Sequence, residues 1–139
     1  MDSAATAYRK PLPGPDPVMK PFWEHAHAGR LAIQTCNNCG DMHMPAAPVC
    51  PKCLDDDQEW QVVSGNGMLE SWVEFHKAYW GGFVEDLPYV VCLVRLDEGP
   101  LIYSNIVGAK EEELAVGQRV RVVFDRVTPE VTLPKFSLA

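Results

Sequence analysis

The chain has 139 residues, of which 47% are hydrophobic, and a formal net charge of −7 at pH 7. This length allows one domain, or a small domain with an attached module. Twelve basic residues scattered among nineteen acidic ones argue against a nucleic-acid binder, which neutralises phosphates with clustered positive charge. No apolar run approaches the ~20 residues of a transmembrane helix. The first ten residues lack the apolar region of a signal peptide, so we expect a cytoplasmic protein.

Residues 1–29 are predicted to form an extended arm and a short helix. Prolines alternate at positions 11, 13, 15 and 17, which is typical of an extended polyproline-like segment. This arm is either a disordered tail or a strap that lies on a partner. A helix is predicted from Pro21 to Ala28, with Gly29 just past its end. Phe22 and Trp23 share one face, which must pack on the rest of the chain or on another chain because eight residues are not stable alone.

Residues 30–63 are predicted to form a zinc ribbon. Two Cys-x-x-Cys pairs, Cys36 with Cys39 and Cys50 with Cys53, lie between two predicted strands at residues 31–35 and 60–63. Each pair can place two thiolates on one ion from a tight turn, and four thiolates form the closed tetrahedral set of a structural zinc site. Because no position is left for water, we expect the metal to be structural and not catalytic.

Other uses of these four cysteines have to be weighed. Two disulfides would need an oxidising compartment, of which the sequence gives no sign. A thioredoxin-like pair needs one Cys-x-x-Cys motif beside a βαβ pattern. Iron remains open, since tetrahedral sulfur ligation accepts either metal. A rubredoxin-like iron electron carrier is therefore an alternative function.

Residues 64–139 are predicted to form a five-stranded OB-fold barrel, which makes the chain mainly β. A turn at 64–67 is followed by alternating or apolar segments at 67–77, 89–96, 101–107, 119–124 and 131–138. A short helical turn at 110–114 separates the third and fourth strands, as in an OB-fold. In the first of these strands, Leu69, Ser71 and Val73 are expected to share one side.

The barrel sequence shows no catalytic set of residues. Cys92 lies within an apolar run and is expected to be a buried core thiol. The loop at 77–86 carries Tyr79, Trp80 and Phe83 around two glycines, and large aromatic residues of this kind anchor interfaces. They either contact a partner or ligand or close one end of the barrel. Stacked aromatics on an OB-fold also leave open a free-standing binder of single-stranded nucleic acid, although the low basic content argues against it.

The order of motifs along residues 11–139 resembles a known family. The motifs are PLPGPDP, PFWE, GRLAIQTCNNCG, Pro45, CPKC, EWQVVSGNG, PYVVCLVRLDEG, VGQRVRVVF and PKFSLA. In this order they are similar to the acyl-CoA-associated zinc-ribbon/OB-fold family, long catalogued as domain of unknown function 35. One departure is visible: Ala46 and Ala47 stand where members often have an arginine or a second proline.

The resemblance implies a helical strap, a rubredoxin-like zinc ribbon whose ligands are the four paired cysteines, and an OB-fold. It also implies a hetero-oligomeric partner of the thiolase superfamily. Such enzymes act on acyl-CoA thioesters by condensation, acyl transfer, thiolysis or retro-aldol cleavage, including steroid side-chain and aromatic degradation. The chain itself is then a non-catalytic subunit, with a CoA thioester at the interface. The residues expected to contact the partner or the acyl-CoA are Phe22, Trp23, Tyr79, Trp80 and Phe83.

Overall fold

A computed structural model describes residues 8–139 as one α-helix and two antiparallel sheets. The elements in chain order are α1 (Lys20–His27), β1 (Leu31–Cys36), β2 (Met42–His43), β3 (Gln58–Val63), β4 (Asn66–Phe75), a 3-10 helix (Gly81–Asp86), β5 (Tyr89–Leu96), β6 (Leu101–Asn105), a second 3-10 helix (Glu111–Glu113), β7 (Arg119–Arg126) and β8 (Thr132–Leu138). The predicted mainly β class with a short N-terminal helix is confirmed. Within these residues no helix has the length and apolar character to cross a membrane.

The first sheet is the ribbon, with strand order β2-β1-β3. Strand β1 pairs with β3 along its full length, from Leu31 opposite Val63 to Cys36 opposite Gln58. The two-residue strand β2, which the sequence pattern did not predict, pairs with the end of β1. The first cysteine therefore lies at the end of a fully paired strand, which fixes the position of the turn that follows.

The second sheet is the barrel, with strand order β6-β5-β4-β7-β8. A parallel bridge between Ile106 and Phe136 joins the two outer strands of this order and nearly closes the sheet on itself. Phe136 is fully buried beneath this seam. Closure of this kind leaves little exposed strand edge, and the strand order is that of an OB-fold.

The expected alternation along β4 is wrong after its fourth residue. The register shifts between Leu69 and Ser71, so that Glu70 forms a bulge with no direct partner on β5. A bulge adds one residue to one strand and moves every later side chain to the opposite face. Leu69 is therefore fully buried while Val73 is 56% exposed, and Trp72 packs against the core instead.

Helix α1 lies at the junction between the ribbon and the barrel, where it contacts both β1 and β8. Phe22 and Ala26 on its inner face are buried. The Phe22 ring meets the Trp23 ring edge-on at 4.9 Å and lies 6.5 Å from the Trp60 ring. Phe22 joins buried residues of both sheets in one continuous core, so the ribbon and the barrel pack as a unit.

The turn between β5 and β6 is tied to β7 by an exposed ion pair whose pH dependence can be measured. Arg119 Nη2 donates to Asp97 Oδ2 at 2.8 Å. This hydrogen bond, followed by the charge of Arg119, lowers the pKa of Asp97 below 3.8. A lowered folded-state pKa gives stability that is present above the unfolded pKa and is lost as the pH falls through the folded one.

We therefore predict that Asp97→Asn lowers the denaturation midpoint slightly at pH 7 and progressively less as the pH falls below about 4. Denaturant melts of both chains between pH 7 and pH 3 measure the difference. A difference that does not change with pH would contradict the assignment of this carboxylate as the titrating partner.

Candidate metal centre

Each Cys-x-x-Cys pair lies in a tight turn with its own backbone hydrogen bonds. In the first turn, Gly40 N–H donates to the carbonyl of Cys36 at 2.9 Å, and Cys36 N–H donates to the carbonyl of Asp41 at 2.8 Å. The second turn repeats the pattern, with Leu54 N–H donating to Cys50 at 2.8 Å. The two turns therefore present their cysteines in the same backbone frame.

The four sulfurs of these turns face one another as a cluster. All of them lie within 4.8 Å of one another. Sγ of Cys36 is 3.6 Å from Sγ of Cys53, and Sγ of Cys39 is 3.6 Å from Sγ of Cys50. Zinc–sulfur bonds of ~2.3 Å in a tetrahedron place the sulfurs about 3.8 Å apart. The donor set therefore fits one zinc ion held by all four cysteines.

Hydrogen bonds to sulfur favour the thiolate form that a metal needs. Asn38 Nδ2 donates to Cys53 Sγ at 3.4 Å. That bond, followed by one from the backbone of Asp55, lowers the pKa of Cys53 to about 7. At Cys39, a backbone bond from Asp41 lowers the pKa, but burial and the neighbouring sulfurs outweigh it and raise the pKa to about 12. Four thiolates this close need a cation, so metal binding is expected to release protons.

A polar network beside the cluster ties the second turn to the ribbon sheet. His43 places Nδ1 3.1 Å from a carboxylate oxygen of Asp41 and Nε2 2.8 Å from Oε1 of Gln34. The same Gln34 oxygen accepts the N–H of Ala47, and Gln58 donates to the Ala47 carbonyl. Both nitrogens of His43 thus have partners in the network, which supports the loop leading to Cys50.

The equivalent residues Gly40 and Leu54 give a test of backbone strain in the two turns. Both have a left-handed backbone, with φ of 80° and 69°. Gly40 adopts this conformation without strain, whereas in a residue with a Cβ it destabilises the folded state by roughly 1 kcal/mol. Leu54 is 72% exposed, so its side chain gains little from packing.

We predict that Leu54→Gly raises the free energy of unfolding of the zinc-loaded chain by about 1 kcal/mol, and that Gly40→Ala lowers it by a similar amount. A Cβ at Gly40 would meet no atom within 4 Å, so the second effect would come from the backbone alone. Leu54→Ala is the control, because it removes the side chain but keeps the strain. If Leu54→Ala stabilises the chain as much as Leu54→Gly, the strain argument fails.

The aromatic residues predicted to contact a partner lie in different environments. Phe22 is 6% exposed and belongs to the core, so the prediction stands for Trp23 alone on this helix. Trp23 is half-buried and lines a groove of about 750 Å³ beside the prolines of residues 13–17. Tyr79 and Trp80 are 64% and 60% exposed on the loop between β4 and β5.

Phe83 belongs to a stack of aromatic rings at the end of the barrel that the sequence reasoning missed in part. Its ring stacks on Tyr89 at 5.1 Å, Tyr89 stacks on Phe75 at 5.0 Å, and Tyr79 meets Phe75 edge-on at 6.1 Å. Phe75 and Tyr89 are opposite each other in the β4–β5 register. Pairing the strand ends on either side of the loop would have revealed both rings.

Cys92 is a core thiol, as predicted. It is fully buried on β5, and burial raises the pKa of this thiol to about 11. A thiol that stays protonated at neutral pH is a poor nucleophile. Cys92 is therefore separate from the four paired cysteines, whose sulfurs form the candidate metal cluster.

Comparison with protein families identifies both parts of the chain. Residues 23–59 match the model of the ChsH2 rubredoxin-like zinc ribbon domain, and residues 60–125 match that of the ChsH2 C-terminal OB-fold domain. A solved structure described as "Ltp2-ChsH2(DUF35) aldolase" superposes with a TM-score of 0.82 and 31% identity, covering 91% of this chain and 98% of that one.

Two curated relatives differ in length. A "DUF35 domain-containing scaffold protein" of Methanocaldococcus jannaschii is 31% identical over 114 residues, which cover 81% of this chain and 80% of that protein. A "probable enoyl-CoA hydratase alpha subunit" of Thermomonospora curvata is 35% identical over 116 residues. The match covers 83% of this chain but 36% of the hydratase subunit, so the chain spans about a third of that relative.

Proposed function

The chain belongs to the DUF35 family, whose members combine a ChsH2-type zinc ribbon with an OB-fold, and we propose that it is a non-catalytic zinc-binding subunit of an acyl-CoA-processing complex. Its partner in this proposal is a thiolase-fold enzyme that cleaves or forms bonds in acyl-CoA thioesters. Support comes from the related aldolase, whose description pairs Ltp2 with ChsH2. A four-cysteine metal cluster needs reduced thiols, which suits a cytoplasmic setting.

The observation that carries the proposal is the closed cluster of four sulfurs. Cys36, Cys39, Cys50 and Cys53 would hold zinc and fill its tetrahedron, leaving no position for a water or a substrate oxygen. The bound ion would neutralise the thiolates and link the two turns. The role of the chain in this account is to shape and present a docking surface while another polypeptide carries the reacting groups.

The charge of one cleft bears on where a CoA thioester would bind. A cleft of about 780 Å³ opens at the end of the barrel beside Phe83 and Tyr89. Its charged lining residues are Lys10, Lys110, Lys135, Glu74, Asp86, Glu111, Glu112 and Asp125. Acidic side chains outnumber basic ones, so the cleft does not complement CoA phosphates. We propose that the partner supplies the phosphate contacts at a shared interface.

Co-expression with a thiolase-superfamily protein from the same organism tests the proposal. We expect one complex on size-exclusion chromatography, and an enzyme that is less stable or less active when it is purified alone. Thioester turnover by this chain without the enzyme is expected to be absent. If the two proteins purify separately and the enzyme is fully active alone, the proposal fails.

A hydratase subunit is the second candidate partner, favoured by the match to a hydratase alpha subunit. Parallel co-expression with a hydratase-fold and a thiolase-fold protein of the same organism separates the two.

Metal analysis of protein purified without added metal decides between zinc and iron, and therefore tests the electron-carrier alternative. Salt-sensitive binding of a single-stranded oligonucleotide would instead support the nucleic-acid alternative.

A further inference from the structure

Residues 8–11, the docked arm, lie on residues 79–86, the aromatic loop. The ammonium group of Lys10 forms an ion pair with Asp86. It also lies over the ring of Phe83 at 5.4 Å and over the ring of Tyr8 at 5.9 Å. An ammonium group over an aromatic face is attracted by the negative face of the ring. Lys10 therefore makes two contacts with the aromatic loop, to Asp86 and Phe83, and one within the docked arm, to Tyr8.

The backbones of the two segments also touch, and Gly82 makes this possible. A Cβ at Gly82 would lie 2.5 Å from the carbonyl carbon and oxygen of Arg9 and 2.8 Å from the nitrogen of Lys10. These are backbone atoms, which cannot move aside as a flexible side chain can. At the neighbouring Gly81 a Cβ would make ordinary contact, with Arg9 Nη2 at 3.9 Å. The docked arm thus fits against one glycine and not the other.

The aromatic loop has little else to hold it in place. Its 3-10 helix, Gly81–Asp86, contains no buried residue. Its internal backbone bonds include Phe83 N–H to Trp80 at 3.0 Å and a longer one from Leu87 at 3.4 Å. On the barrel side, Phe83 stacks on Tyr89 and Tyr79 meets Phe75 edge-on. A segment with so few buried contacts opens easily unless a second surface holds it.

We propose that the docked arm is a brace that holds the aromatic loop in the conformation presenting Tyr79 and Trp80. The proposal rests on the function proposed above, because it makes partner affinity depend on the brace as well as on the two exposed rings. Lys10 is then a positioning residue. Docking of the arm and binding of the partner favour each other, since each is stronger when the loop is already ordered.

A pair of glycine variants tests the brace in the isolated chain. We expect Gly82→Ala to speed amide hydrogen exchange at Phe83 at least fivefold, while Gly81→Ala leaves it within twofold of the natural chain. In a chain without residues 1–11, Gly82→Ala and Gly81→Ala should be indistinguishable. Equal exchange in both full-length variants would overturn the brace whether or not any partner binds.

The same variants then test the coupling to the thiolase-fold protein. We expect Gly82→Ala and Lys10→Ala to weaken partner binding about five- to tenfold, whereas Gly81→Ala should bind as the natural chain does. Lys10→Arg should bind almost as tightly as the natural chain, because arginine keeps the positive charge over the rings. Tighter binding after Gly82→Ala would mean that the arm covers the docking surface, and unchanged binding would mean no coupling. Either result overturns the inference. Failure of the natural chain to bind would refute the proposed function instead, and the exchange experiment would still decide the brace.

Discussion

Cys50→Ser is expected to abolish stoichiometric zinc binding at micromolar metal and to unfold the ribbon. Cys50 is fully buried, and its sulfur lies 3.6 Å from that of Cys39. Structural zinc sites contribute an apparent ~10–16 kcal/mol to folding. A whole domain is typically stable by only about 5–15 kcal/mol, so loss of the zinc site removes most or all of that stability. Bound zinc per chain and the thermal melting curve measure the loss.

The ribbon cannot unfold without affecting the barrel, because Ile33 and Val63 share a core with Leu69 and Phe136. We therefore expect the barrel to be destabilised as well. Cys92→Ala is the matched control, since it removes a buried sulfur that does not face the cluster. It should keep one zinc per chain and lose far less stability. A Cys50→Ser chain that binds zinc and melts like the natural one would contradict the four-sulfur site.

Trp80→Ala is expected to weaken the proposed complex with a thiolase-fold enzyme by about 30-fold, which corresponds to about 2 kcal/mol. Trp80 is 60% exposed in the free chain and contributes little to the core, so the variant should fold normally. Large aromatic rings that are exposed in the free protein and buried in the complex often contribute most of the binding free energy of an interface. Titration calorimetry with the purified enzyme gives the affinity.

Tyr103→Ala is the matched control for that measurement. Tyr103 is 76% exposed on β6, and on OB-folds the face of the second and third strands also binds ligands. We expect this variant to bind within twofold of the natural chain. If Tyr103→Ala weakens the complex while Trp80→Ala does not, the docking surface is the strand face and not the aromatic loop.

The candidate metal centre was predictable from the sequence because the type and spacing of its residues determine which ion they can bind. Four cysteines in two Cys-x-x-Cys pairs admit few other uses, and the structure brings Cys36, Cys39, Cys50 and Cys53 together. The strands of the barrel were predictable for a similar reason, since apolar runs such as Tyr89–Leu96 match the observed bounds. Local patterns specify local elements well.

The features that were missed depend on the register between segments. A single bulge at Glu70 turned Val73 outward, and nothing in the alternation of β4 marks it. The sequence predicted that Phe22 and Trp23 share a helix face but not that their environments differ. The Phe22 ring is buried in the core, whereas the Trp23 ring lines a groove. Contacts between the docked arm and the aromatic loop join residues more than seventy positions apart, as in the Lys10–Asp86 pair. No pattern within either segment predicts such a contact.

X-ray absorption spectroscopy of the purified chain at the zinc edge tests the closed, non-catalytic site most directly. The account predicts four sulfur neighbours at about 2.3 Å and no oxygen or nitrogen neighbour, with a spectrum that does not change when the enzyme and an acyl-CoA thioester are added. A zinc ion with three or fewer sulfurs and an oxygen ligand, or a spectrum that shifts when the thioester binds, would show that the metal takes part in the chemistry and would contradict the account.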